Sequence, residues 1–154
     1  MQRVCLGIMR FCLAAWVGIA IFFVMVVIDL RQSDFFTEKT KLNHPRILFP
    51  LYYAFELATL GPALACAVVG LGNARIGRAR KCVVLLLVFF AAALALWDYG
   101  TIYRELLQLM NGPKPLPATF HSLHHLSRRL NETIVLAIAA AAVLALMPEK
   151  PPVA

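Results

Sequence analysis

The residues in this chain best suited to chemistry are three histidines at helical spacing and a few carboxylates set among apolar neighbours. His121 and His125 stand four apart, so on a helix they share a face and can share a metal ion. With His124 they make up the candidate ligand set for a metal ion or haem. A zinc enzyme needs a further ligand and a general base at fixed positions, and neither follows in the sequence. Ser127, His124 and Glu132 supply the residue types of a nucleophile, a base and an acid, but nothing in their spacing aligns them. There is no Gly-rich phosphate loop, G-x-S-x-G or H-E-x-x-H pattern. The chain therefore reads as non-enzymatic.

The surroundings of the histidines follow a helical pattern. Thr119, after Pro117, can cap a helix start. On that helix Phe120, His124, Ser127 and Asn131 follow at steps of four, three and four and form one stripe. His121, His125, Arg128 and Glu132 form a second stripe about 100° away. Asn131-Glu132-Thr133 matches the glycosylation sequon, but its position at a membrane boundary makes it unusable. Among the carboxylates, Glu56 is the most demanding. It lies nine residues after Ile47 inside an apolar run, about 14 Å down a helix rising 1.5 Å per residue. An Asp, Lys or Arg at such a depth costs at least ~2.5–3.5 kcal/mol, and residues of this kind face the bundle interior. Glu56 is expected to act there as proton carrier or cation ligand, or to sit as a protonated carboxyl bonded to a neighbouring helix. Asp98 ends the third apolar run and Glu132 stands near the start of the fourth. Glu56, Asp98, His124, Asn131 and Glu132 are expected to line one polar cluster.

The elements that position these residues are apolar helices. Of the 154 residues 61% are apolar and 15% charged, against about 45–50% and about 25% in soluble domains. That composition excludes disorder and an ordinary cytosolic globule. Four uncharged or nearly uncharged runs approach the about 20 residues that cross a bilayer: Phe11–Ile28, Ile47–Gly72, Cys82–Trp97 and Leu130–Met147. The expectation is an all-α integral membrane bundle, a single domain over 1–154, with helices at about 8–29, 47–72, 82–104 and 119–147. The connections are polar or carry breakers, above all Asn111-Gly112-Pro113-Lys114-Pro115. Pro62 should kink the second helix. The first helix reads as a retained anchor, since its core is long and no small-x-small cleavage site ends it.

The net charge of +7 sorts by topology, which argues against a nucleic-acid partner. Arg3, Arg10, Arg75, Arg78, Arg80, Lys81 and Lys150 fall in short segments on one side, so both termini are expected in the cytoplasm of a cell-membrane protein. The lipid bilayer is the expected partner. Cys5, Cys12, Cys66 and Cys82 form no C-x-x-C pair and read as small packing residues. Ala14 and Gly18, then Ala54, Ala58, Gly61 and Ala65, then alanines in helices three and four, are expected to let the helices approach closely. The same residues permit a homo-oligomer or a place in a membrane complex.

Ala15-Trp16-Val17-Gly18, Leu48-Phe49-Pro50-Leu51-Tyr52-Tyr53 and the Phe120, His124, Ser127, Asn131 stripe resemble, in order, three segments of the transmembrane-protein-205-like family. These are small four-helix membrane proteins of largely unknown function. The resemblance implies four helices and puts weight on that last stripe. His121, His125 and Arg128-Arg129 depart from the family pattern, so a metal role for them would belong to this chain alone. Three functions are expected: handling of a small solute or cation through the polar cluster, metal or haem binding at the histidines, or a structural place in a larger membrane assembly.

Overall fold

The computed structural model describes residues 2–70, 76–112 and 116–148. The described residues are 91% helix, with no strand among them. Helix α1 spans Gln2–Gln32, α2 Glu38–Gly70 and α3 Arg78–Trp97; a π-helical turn, Asp98–Tyr103, joins α3 to α4, Arg104–Asn111; α5 spans Ala118–Leu146. Four helices are long and apolar enough to cross a membrane: α1, α2 from Asn43, the continuous rod Arg78–Asn111, and α5. Each runs past its apolar stretch at one end or both, since polarity ends an apolar run without ending a helix; α2 does so even through Pro45. Arg75 of the basic turn, the Pro113–Pro115 break and the tail from Glu149 lie outside the described residues.

All four helices bury a stripe with the same alternation of three and four residues. On α1 it is Leu6, Met9, Leu13, Trp16 and Ala20. On α2 it is Tyr53, Glu56, Leu60, Ala63 and Ala67, on α3 Val84, Val88, Ala91 and Ala95, and on α5 Ser127, Ile134, Ile138, Ala141 and Ala145. The helices pack as a ring in which α1 touches α2 and α5, and α3 touches α2 and α5. Successive spans run antiparallel, so the start of α1 and the end of α5 share one end of the bundle. There the Arg10 Nε donates to the Ala145 carbonyl at 2.7 Å and Arg80 to the Pro148 carbonyl at 3.1 Å. At the opposite, distal end Arg46 of α2 donates to the Met110 carbonyl of α4.

Small residues do bring α3 and α5 together, through Ala91, Ala95, Ala137, Ala141 and Ala145. The small residues of α1 and α2 do not behave as expected. Ala14, Gly18, Ala54, Ala58, Gly61 and Ala65 are all exposed, and a Cβ built on Gly18 or Gly61 would meet nothing within 4 Å. The physical reason is that aromatic rings fill the α1–α2 seam instead. Trp16 faces Tyr52, and Phe23 packs on Tyr52 with ring centroids 4.5 Å apart. α2 also continues through Pro45, Pro50 and Pro62. Pro50 and Pro62 are exposed, so their rings clash with nothing on a neighbouring helix. All four cysteines are free thiols.

A candidate polar site inside the bundle

Asp98 and Glu56 reach the interior because they occupy positions of the buried stripes. In α3 the sequence of steps Val84, Val88, Ala91, Ala95 continues to Asp98 and Ile102. In α2 Glu56 stands one turn from Tyr53. Both carboxyl side chains are completely enclosed, with 0% of their surface exposed. They lie within electrostatic reach of each other. Tyr53 is six residues beyond Ile47, about 9 Å at 1.5 Å per residue, so the site belongs to the distal half of the apolar belt.

The two acids are held very differently. One oxygen of Asp98, Oδ2, accepts three hydrogen bonds from two other helices. Tyr53 Oη of α2 donates at 2.7 Å, Ser127 Oγ of α5 at 3.0 Å and Asn131 Nδ2 of α5 at 2.8 Å. The Asn131 amide also donates to the Ser127 carbonyl at 2.9 Å. Only an NH₂ group can serve two acceptors, so its orientation is fixed and its Oδ1 turns elsewhere. Both oxygens of Glu56, Oδ1 of Asp98, Oδ1 of Asn131 and the Tyr103 hydroxyl are buried with no hydrogen-bond partner among the described residues. Leaving a buried polar atom unpaired costs about 1–3 kcal/mol, more for a charged group. Several such oxygens in one interior are unusual for a fold that hydrogen-bonds nearly all its buried polar atoms.

The π-helical turn begins at Asp98. Its i to i+5 bonding places Asp98 and Tyr103 a turn apart, and Asp98, Ile102 and Tyr103 are all buried. Tyr103 then packs on Tyr53 with centroids 4.9 Å apart, and Tyr99 on Tyr53 at 5.2 Å. Phe49 and Tyr52 extend the aromatic wall toward Phe23 of α1. This wall covers the distal side of the carboxyl pair.

Of the residues expected to line the cluster, Glu56, Asp98 and Asn131 come together and Ser127 joins them. Glu132 does not. It is 56% exposed on the outer face of α5 and pairs with Arg128 at 3.4 Å, one turn away on the same helix. Its stripe, with His121 and His125, faces outward, while the Phe120, His124, Ser127, Asn131 stripe turns toward the bundle. His124 is half-buried and lies parallel to the Phe120 ring, centroids 6.0 Å apart. His121, His124 and His125 do not form the expected metal centre: among the described residues no three His, Cys, Asp or Glu side chains gather in a metal-holding arrangement. One helix can aim only two of these histidines along one face, and no ligand arrives from a neighbouring helix. Tyr53 and Tyr103 were absent from the residues singled out by spacing. Tyr53 carried a signal, since it precedes Glu56 by three on the same face; Tyr103 depends on the π-helical turn and carried none.

Comparison of the chain with protein-family models, with curated proteins and with solved structures yields no match.

Proposed function

We propose that this chain is a non-enzymatic multi-pass membrane protein that takes a small solute or cation into the polar cluster between α2, α3 and α5. The observation that carries this reading is the pair of enclosed carboxyls, Glu56 and Asp98, with unpartnered oxygens inside an apolar bundle. A purely structural polar network would be expected to satisfy its members, because a half-satisfied one is worse than an apolar core. Retaining an unpaired Glu56 makes sense if something else occupies those oxygens during a working cycle. We further propose kinship with the transmembrane-protein-205-like family, supported by the Phe49-Pro50 start of the second span and by the inward-turned Phe120, His124, Ser127, Asn131 stripe. Placement in a cell membrane with both termini in the cytoplasm is supported by the density of Arg and Lys around the shared end of α1 and α5.

The test is flux in liposomes reconstituted with the purified chain. Glu56→Gln should lower solute uptake or its coupling to protons while the fold survives. If Glu56→Leu leaves both flux and stability intact, Glu56 has no part in function. A second reading, a structural subunit of a larger assembly, is favoured by the outward Ala54, Ala58, Gly61 and Ala65 stripe, since small residues on a lipid-facing surface allow another helix to approach. It predicts stable co-purification with a partner chain or a second copy.

A further inference from the structure

The unpartnered groups around the carboxyl pair share one chemistry: all are oxygens. Glu56 offers two and Asp98 one; Asn131 Oδ1, on a residue whose amide is bonded to Asp98, and the Tyr103 hydroxyl, on a ring packed against Tyr53, are unpartnered as well. Nitrogen and sulfur ligands, which select zinc, copper or iron, are missing from the set. Carboxylate and carbonyl oxygens are the ligands of hard cations. Charge balance gives a second constraint. The facing stretch of α1, Phe11–Ile28, has no charged residue, and the flanking parts of α2 and α3 carry none beyond the two acids. On α5, Arg128, Arg129 and Glu132 are exposed on the outer face. Of the other titratable groups, the phenols Tyr52 and Tyr53 on α2 lie within electrostatic reach of both acids; Tyr99 and Tyr103 on the π-helical turn pack on the Tyr53 ring, and His124 stands one turn from Ser127 on α5. No fixed positive charge is therefore enclosed with the pair. Two bare carboxylates cannot remain so in an apolar interior, where an isolated charge is strongly penalised.

We propose that Glu56 and Asp98 form an exchange site for one hard cation, an alkali or alkaline-earth ion, that enters only as protons leave. The proposal rests on the reading above that the cluster takes up a small cation. The balance is simple. With both carboxyls protonated the site is neutral. A monovalent ion displaces one proton to water, leaving one carboxylate, one carboxylic acid and the ion. A divalent ion displaces two. Asp98 is the member held in place, by its three donors at Oδ2, so its Oδ1 is preset as a ligand. Glu56, with neither oxygen bonded, is the member free to swing onto the ion or off it.

The experiment uses the purified full chain in detergent under weak buffering with a pH indicator. Sodium, potassium, calcium and magnesium chlorides are added in turn, with N-methylglucamine chloride as the ionic-strength control. At least one of the four salts should release protons and raise the thermal midpoint above the control. The concentration for half effect should fall about tenfold per pH unit for a monovalent ion and about a hundredfold for a divalent one, while the site's protons are still bound. Glu56→Gln should abolish the release and Glu56→Asp should restore part of it; if the glutamine variant does not fold, Asp98→Asn gives the same readout. The proposal is overturned if none of the salts releases protons beyond the control, or if Glu56→Gln releases as many as the parent. Flux of an uncharged solute without cation-linked proton release sinks this inference and leaves the broader reading standing. Proton release without any flux supports the site and sinks the transport reading.

Discussion

Replacing Asp98 by alanine removes the acceptor of three hydrogen bonds at once, and the three donors lose it unequally. Tyr53 Oη is buried with Asp98 as its one acceptor, so its loss costs about 1–3 kcal/mol as an unpaired hydroxyl. Asn131 keeps its bond to the Ser127 carbonyl, and Ser127 can turn its hydroxyl onto the carbonyl one turn back along α5. Together these place Asp98→Ala at about 2–5 kcal/mol of destabilisation. Asp98→Asn keeps an oxygen at the Oδ2 position for all three donors, so it should cost about 1 kcal/mol or less. For a chain of this size that gap corresponds to about 2–20 °C between the two variants' thermal midpoints. The assay is unfolding of purified protein in mixed micelles, by heat and by SDS titration, with helix content as the readout. If asparagine proves as damaging as alanine, the negative charge and not the acceptor holds the helices, and the hydrogen-bonding account of the site is wrong. If neither variant moves the midpoint, the three bonds do not stabilise the membrane-embedded fold.

Tyr53→Phe keeps the ring packing on Tyr99 and Tyr103 and deletes one donor; Ser127→Ala deletes another. Each should cost about 1–3 kcal/mol, as hydrogen bonds to a carboxylate do, in the same unfolding assay. Glu132→Gln should leave liposome flux unchanged while Glu56→Gln lowers it; equal losses would return Glu132 to the interior site. Cys5 of α1 and Cys66 of α2 lie within electrostatic reach of each other across the α1–α2 seam, so in a Cys12→Ala, Cys82→Ala background mild oxidation should link them, as a mobility shift on non-reducing gels. Absence of that link would contradict the α1–α2 pairing. A Cβ at Gly100 meets nothing within 4 Å, so Gly100→Ala should be tolerated and should stabilise the π-helical turn by up to about 1 kcal/mol. If that turn is the part that opens the site, flux falls in the same variant; unchanged flux with raised stability removes the turn from the mechanism.

The four spans were legible because charge and breaker residues punctuate apolar runs of bilayer length, and that signal depends on composition alone. Their ends were less so. The third apolar run ends at Trp97 and its helix is expected to end at about 104, yet the helical rod continues to Asn111, because Arg104 and Glu105 are good helix formers and polarity ends an apolar run without ending a helix. Which face of α1 and α2 turns inward was misread for a related reason. Ala14, Gly18, Ala54 and Ala58 repeat at the spacing of a close-packed seam, but Trp16 and Phe23 on α1, seven apart, and Phe49 and Tyr52 on α2, three apart, also recur at helical spacing on another face. Small residues pull helices together through contact and aromatic rings do so through buried area. Periodicity alone gives no rule for which of two stripes wins.

The same competition explains the site. On α5 two polar stripes stand about 100° apart, and only one of them continues downward into the core positions Ile134, Ile138, Ala141 and Ala145. Stepping up from those residues by fours and threes arrives at Asn131 and Ser127, not at Glu132. Applied to α3, the register Val84, Val88, Ala91, Ala95 arrives at Asp98; applied to α2, Ala67, Ala63, Leu60 arrives at Glu56 and then Tyr53. The interior polar residues are thus those in phase with the apolar stripe of their own helix. That phase test was available from the sequence and separates Asn131 from Glu132 and Glu56 from its exposed neighbours. It could not have supplied Tyr103, which is out of phase with an α-helical continuation from Asp98 and is brought inward by the wide π-helical turn. Turns of that kind carry an extra residue per turn and tend to persist where function needs them, and here the irregularity starts at the residue on which three hydrogen bonds converge.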